Sequence, residues 1–209
     1  MQHREKIILF GGSFDPIHTG HVRVAQYAFE ELGAERLFFI PARQSPHKTE
    51  SPAAGHHRLA MIQIAIEGME GFSVSDCELT RSEPSYTLDT IRFFRKQFGE
   101  VVLLYWLIGA DQLTELHKWY RVQELMDLCR ISVMVRAGHP LPDFSRLEGI
   151  FSESQIQNMK RDFLPTPRIE LSSTDIRHQL AQGIINPQAL SPKVYSYIIT
   201  HRLYDFNKQ

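Results

Sequence analysis

Val101 to Ile108 reads V-V-L-L-Y-W-L-I, eight apolar residues with nothing charged or small and polar between them. A strand with one wet face alternates in polarity, whereas an unbroken run of this kind fits a strand covered on both faces, the interior strand of a parallel sheet. The run goes straight into Gly109-Ala110-Asp111. Near the N-terminus Ile7 to Phe10 repeats the arrangement and runs into Gly11 and Gly12. Two buried strands that each end in glycine predict an α/β fold whose ligand lies over the carboxyl ends of the strands.

The segments between these runs supply the helices of such a fold. After His21, the residues Ala25, Ala28, Phe29 and Leu32 recur at i, i+3, i+4 and i+7, so Thr19 to Leu32 reads as a helix between strands Lys6 to Phe10 and Arg36 to Ile40. Gly33 stands where a helix C-cap glycine belongs. Parallel strands joined by a helix make a right-handed βαβ unit. Further helices are expected over His56 to Met69, Thr87 to Phe98 and Val122 to Leu128, and strands over Phe72 to Ser75 and Arg130 to Val135. Residues 139 to 167 are the least patterned, with one helical stretch near Ser154 to Asp162. A short strand, Arg168 to Leu171, leads into a helix that begins at Ser172 and ends at Gly183. Ser191-Pro192 opens the last helix, with proline at its favoured first position. The expected architecture is a doubly wound, Rossmann-like α/β domain with a mostly parallel sheet and helices on both faces. It spans 1–209, with the C-terminal helices at 168–209 as part of it.

Composition narrows the partners. A net charge of -1 gives no electrostatic reason to expect nucleic acid, so any basic site is local. Cys77 and Cys129 lack metal or redox spacing, and a reducing cytoplasm suits them. The apolar run after Arg4 and Lys6 is too short for a signal-peptide core, and Val101 to Ala110 falls well below the roughly 20 residues that span a bilayer.

The chemistry concentrates in Leu9 to His21, L-F-G-G-S-F-D-P-I-H-T-G-H. Gly11 and Gly12 permit a close backbone approach or a positive φ, and the free N–H groups of the following helix make an anion site. His18 and His21, three residues apart, project from one helix face toward that anion. A His-x-x-His pair can equally be a surface pair or half a metal site, but no third His or Cys nearby completes a zinc set. Elsewhere, Arg43, His47 and Lys48 form a basic cluster in the loop after the second strand, which is either solvated or turned to the crevice. Ser85 or Thr87 offers a helix N-cap, Asp111 another, and Ser172 to Thr174 a third. His56 and His57 read as surface residues.

The form G-G-S-F-D-P-I-H-x-G-H resembles the nucleotidylyltransferase superfamily and, within it, the bacterial nicotinate mononucleotide adenylyltransferases. Ser172-Ser173-Thr174-Asp175-Ile176-Arg177 resembles the same superfamily's S-x-T-x-x-R. Similar too are Pro46-His47-Lys48, Ser85-Tyr86-Thr87-Leu88-Asp89-Thr90, Gly109-Ala110-Asp111 and His117-Lys118-Trp119; Arg136-Ala137-Gly138 departs from the family's arginine-proline-glycine. The resemblance implies transfer of the adenylyl group of ATP to nicotinate mononucleotide, with Mg²⁺ carried on the ATP and no metal site in the protein. It implies catalytic roles for His18, His21, Arg177 and Lys48. ATP would contact Gly11, Gly12, Ser13, Phe14, Gly20 and both histidines on one side, and Ser172, Ser173, Thr174 and Arg177 on the other. Lys48, Ser85, Tyr86, Thr87, Gly109, Asp111, Trp119 and Arg136 would hold the mononucleotide, Trp119 by stacking. The rival readings are a sister enzyme acting on nicotinamide mononucleotide or another phosphate acceptor, and a nucleotide sensor that has lost catalysis.

Overall fold

The computed structural model describes residues 3–43, 53–81, 85–135, 142–166 and 171–205. Among the described residues five strands form one sheet: β1 (Lys6–Gly12), β2 (Arg36–Pro41), β3 (Phe72–Val74), β4 (Leu103–Gly109) and β5 (Arg130–Met134), in the order β3-β2-β1-β4-β5. Every pairing is parallel, which sharpens the expectation of a mostly parallel sheet. The chain winds outward from β1 in one direction and returns to start β4 on its other side. The order therefore reverses between β1 and β4, and the crevice at such a switch point is where open α/β sheets take their ligands. The β1–β4 register pairs Leu9 with Trp106, so Gly12, the last residue of β1, and Gly109, the last of β4, both stand at the carboxyl ends of paired strands.

Helices cover both faces. On one side Ile7, Leu9, Leu104, Trp106, Ile108 and Ile131 pack under α3 (Thr87–Phe98), α5 (Val122–Leu128) and α6 (Glu153–Arg161). On the other, Ile8, Phe10, Leu37, Phe39 and Leu107 pack under α1 (Thr19–Leu32), α2 (Gly55–Ala65), α7 (Ser173–Ala181) and α8 (Pro192–Thr200). Alternate residues of β1 and β4 thus go to opposite cores, which is why their sequence shows no polar face. A four-residue helix, α4 (Ala110–Leu113), follows β4.

The bounds of α1, α3 and α5 coincide with those expected, and Gly33 closes α1 in the left-handed conformation (φ 58°). The expected helix to Met69 stops at Ala65, because the backbone turns there and Gly68 takes φ 80°. His57 is not a plain surface residue: its Nδ1 meets the Tyr197 hydroxyl at 3.0 Å, and its ring lies 5.2 Å from that of His201, joining α2 to the end of α8. Of the strand expected at 168–171, only Leu171 is described, and it belongs to no strand. Both cysteines are buried and free, and burial pushes the Cys129 thiol up to about 12.

Candidate active site

The glycine turn is built by aromatic packing. Gly11 and Gly12 are the last residues of β1, and neither takes a positive φ, which overturns that part of the sequence reading. A Cβ on Gly11 would lie 2.5 Å from the Trp106 ring, and one on Gly12 would lie 2.9 Å from Phe14. The glycines are needed because the chain's own rings fill the space. Phe14 is the residue in the left-handed region (φ 47°), and its ring packs at 5.4 Å from Phe10, 5.4 Å from Phe39 and 5.1 Å from His21.

The two histidines form a reciprocal cap on α1. The His21 N–H donates to His18 Nδ1 and the His18 N–H donates to His21 Nδ1, each at 3.3 Å, and the rings stack with centroids 3.6 Å apart. A ring whose Nδ1 accepts from backbone carries its proton, when neutral, on Nε2. The cap therefore fixes one tautomer in both rings and sets two Nε2–H donors across the rings from the backbone. This lies at the helix end where an anion is favoured.

The start of α7, remote in sequence, docks on the loop after the glycine turn. Ser173 Oγ donates to the Pro16 carbonyl (3.0 Å), and Arg177 Nη1 donates to the Asp15 carbonyl (2.8 Å). Arg177 Nη2 reaches Thr174 Oγ1 at 3.5 Å. Ser172 occupies the N-cap position but makes no side-chain cap bond. Gly20 is buried in α1.

Three residues passed over in the sequence organise this loop. Asp15, 5% exposed, accepts the Ala53 N–H (3.0 Å) and the Tyr204 hydroxyl (2.8 Å) on Oδ1, while Oδ2 lies 3.6 Å from Arg177 Nη1. Arg58, 1% exposed, donates through Nε to the Ala53 carbonyl and through Nη1 to the Ser13 carbonyl, both at 2.8 Å, and through Nη2 to the Arg43 carbonyl at 3.4 Å. One guanidinium thus ties the glycine turn to residues on both flanks of segment 44–52. Lys48, the site residue expected in that segment, lies outside the described residues, as do His47 and Arg136.

Across the crevice, α3 begins without a side-chain cap: Tyr86 holds the N-cap position, and neither Ser85 nor Thr87 caps. Ser85 Oγ is buried and makes no hydrogen bond among the described residues. The Tyr86 ring stacks at 4.3 Å on Tyr120, a contact the sequence did not suggest, which brings the turn carrying Trp119 to the start of α3. Trp119 itself is half-buried and packs against the core under the sheet. Asp111 does not cap: Gly109 is the N-cap of α4, and Asp111 is exposed in its first turn.

Behind α3, the buried Thr90 donates through Oγ1 to Glu78 Oε1 (2.7 Å) and accepts from Arg81 Nη2 (3.0 Å). Burial pushes the Glu78 carboxyl above its ordinary value, with the Thr90 hydroxyl and Arg81 opposing more weakly. A raised folded value means that this group's stability contribution is present below the ordinary carboxylate range and is lost as pH rises through the raised value. Glu78→Gln is therefore expected to gain on wild type in melting temperature as pH rises above the ordinary carboxylate range. Thermal melts across that rise in pH check it; a Gln variant that fell further behind as pH rose would contradict it.

Among the described residues no group of three His, Cys, Asp or Glu side chains is placed to hold a metal ion, and no helix is long and apolar enough to cross a membrane.

Comparison with known proteins agrees with this geometry. The cytidylyltransferase-like family profile matches residues 9–179. A protein of Rhodopirellula baltica described as "Probable nicotinate-nucleotide adenylyltransferase" is 39% identical over 183 residues, covering 87% of this chain and 85% of that one. A protein of Neisseria meningitidis serogroup C with the same description is 38% identical over 202 residues, covering 96% and 99%. Among solved structures, a nicotinic acid mononucleotide adenylyltransferase of Plasmodium falciparum complexed with NaAD superposes with a TM-score of 0.78. It covers 99% of this chain and 100% of that one, at 22% identity, a likeness of fold.

Proposed function

The chain belongs to the cytidylyltransferase-like family, and from that premise we propose that it joins ATP to nicotinate mononucleotide, giving nicotinate adenine dinucleotide and pyrophosphate in NAD biosynthesis. One observation carries the reading: Arg177 and Ser173, from near the C-terminus, bond the Asp15-Pro16 loop beside the His18–His21 cap at the β1/β4 switch point. Two anion-favouring helix starts and a guanidinium then converge where a triphosphate would lie.

The reaction is an in-line displacement. The 5′-phosphate of the mononucleotide attacks the α-phosphorus of ATP, the bond to the bridging oxygen breaks, and pyrophosphate leaves with its electron pair. No covalent intermediate with the protein is required, because transfer of this type needs positioning and charge stabilisation. The Nε2–H groups of His18 and His21 donate to the α-phosphate and the oxygen leaving it. Arg177, with Ser172 to Thr174, holds the β- and γ-phosphates, and ATP arrives with its own Mg²⁺. Lys48 is assigned to phosphate, and Arg136 to the mononucleotide, from the motifs alone.

The mononucleotide lies over the end of β4. Gly109 and Asp111 take its ribose, and the half-buried Trp119 presents its remaining ring surface to the pyridine. The uncapped start of α3, with Ser85, Tyr86 and Thr87, faces the carboxylate. The chain, 1–209, acts as one cytoplasmic nucleotidylyltransferase domain, with α7, which carries the S-x-T-x-x-R motif, on the ATP side.

Pyrophosphate release from Mg·ATP, measured with each acceptor and with product mass, tests this directly. Release with nicotinate mononucleotide and a product carrying an added adenylyl group is expected. Release only with phosphopantetheine or nicotinamide mononucleotide would make this a sister enzyme, and ATP binding without release would make it a sensor.

A further inference from the structure

The chain's last described residues reach into the site from a strained segment. Beyond α8, Arg202, Tyr204 and Asp205 take φ 50°, 62° and 56°, the left-handed region that non-glycine residues avoid. Such backbone persists only where surrounding contacts hold it, and it clusters at functional sites. Here the contact is specific: the Tyr204 hydroxyl donates to Asp15 Oδ1 at 2.8 Å. Burial first, and the Asp15 charge next, push the phenol well above its ordinary value, so it remains a donor at any working pH.

Asp15 is a carboxylate beside a guanidinium in a water-poor site. Such pairs frequently close into a bidentate arrangement. This one has not done so: Arg177 Nη1 bonds the Asp15 backbone carbonyl at 2.8 Å, while the nearer carboxylate oxygen stands off at 3.6 Å. Both other donors, the Tyr204 hydroxyl and the Ala53 N–H, pull on Oδ1, the oxygen not facing Arg177.

We propose that Tyr204 is a positioning residue for ATP, whose hydroxyl holds the Asp15 carboxylate back and so limits how much of the Arg177 guanidinium that carboxylate claims from the triphosphate. The inference rests on the reading that Arg177 binds the phosphates of ATP. It makes the C-terminal turn part of the nucleotide site without touching the nucleotide.

Tyr204→Phe keeps the ring and removes only the hydroxyl. It is expected to raise KM for ATP about tenfold, the scale of one hydrogen bond to a charged group, with KM for nicotinate mononucleotide unchanged. A merely structural loss would instead lower melting temperature and active fraction and leave KM for ATP where it was. The rise in melting temperature produced by Mg·ATP, taken from each variant's own baseline, reads the same quantity even in a destabilised protein and without turnover. In an Asp15→Asn background, where the competing charge is gone, the hydroxyl's removal is expected to change ATP affinity less than about threefold. Wild-type affinity for ATP in Tyr204→Phe, or an undiminished effect in the Asp15→Asn background, overturns the inference. Failure of the wild-type protein to release pyrophosphate would sink the proposed function instead, and the thermal shifts would still decide the role of Tyr204.

Discussion

Replacing His21 with alanine is expected to lower kcat by about 100- to 1,000-fold, since loss of one preorganised donor to a developing charge typically costs about 2.7–4 kcal/mol in the barrier. KM for ATP should move far less, because the donor acts mainly when charge builds on the leaving oxygen. His21 also has a second role that must be separated from this one: its Nδ1 accepts the His18 N–H. Asparagine places an oxygen near the Nδ1 position, so His21→Asn keeps the cap and lacks the Nε2 donor. It should lose kcat nearly as fully as alanine while melting close to wild type. Recovery of most of kcat in the Asn variant would make His21 a structural cap and nothing more.

The second large effect falls on stability. Arg58→Met keeps the apolar stem and removes the donors for the Ser13, Ala53 and Arg43 carbonyls. With two well-formed charge-assisted bonds lost at about 1.5–3 kcal/mol each, destabilisation of roughly 3–6 kcal/mol follows, a fall in melting temperature on the order of 10 °C. Arg58→Lys should recover little, because one ammonium cannot take over a fork that spans three carbonyls. Denaturant unfolding of both variants measures this, and a shift of only about 1 kcal/mol in Arg58→Met would show that water replaces the guanidinium at those carbonyls.

What the sequence made legible is what repeats or punctuates. The unbroken run ending at Ile108, the i, i+3, i+4 stripe from Ala25 to Leu32, Gly33 at a C-cap and Ser191-Pro192 at an N-terminus each carry their structural meaning within a few residues. The extent of α2 was misread because Ile66 and Met69 continue the helical period, while the backbone departs at a glycine the period does not register. The His18–His21 cap was hidden because histidine is not a usual N-cap residue. Asp15, Arg58 and Tyr204 were invisible for another reason. Their partners stand 38, 45 and 189 residues away in sequence, and nothing local marks a buried arginine in a stretch such as His56-His57-Arg58. The motifs propose the members of the site, and the fold alone reveals the bonds that tie the Asp15 loop to α2 and α7.

The central claim is that this site adenylylates nicotinate mononucleotide and chooses it by its carboxylate. The start of α3 has no side-chain cap, so its N–H groups and helix dipole favour an anion. A carboxylate accepts two such bonds, whereas the amide of nicotinamide mononucleotide turns an NH₂ toward donors. Losing even one charge-assisted bond predicts discrimination of about tenfold to a hundredfold. The most direct measurement is kcat/KM for the two mononucleotides at saturating Mg·ATP, by pyrophosphate release. The account predicts at least about a tenfold preference for the acid that survives Trp119→Phe, since the ring cannot distinguish the two groups. Equal values for acid and amide, or a preference that vanishes with Trp119, would contradict it.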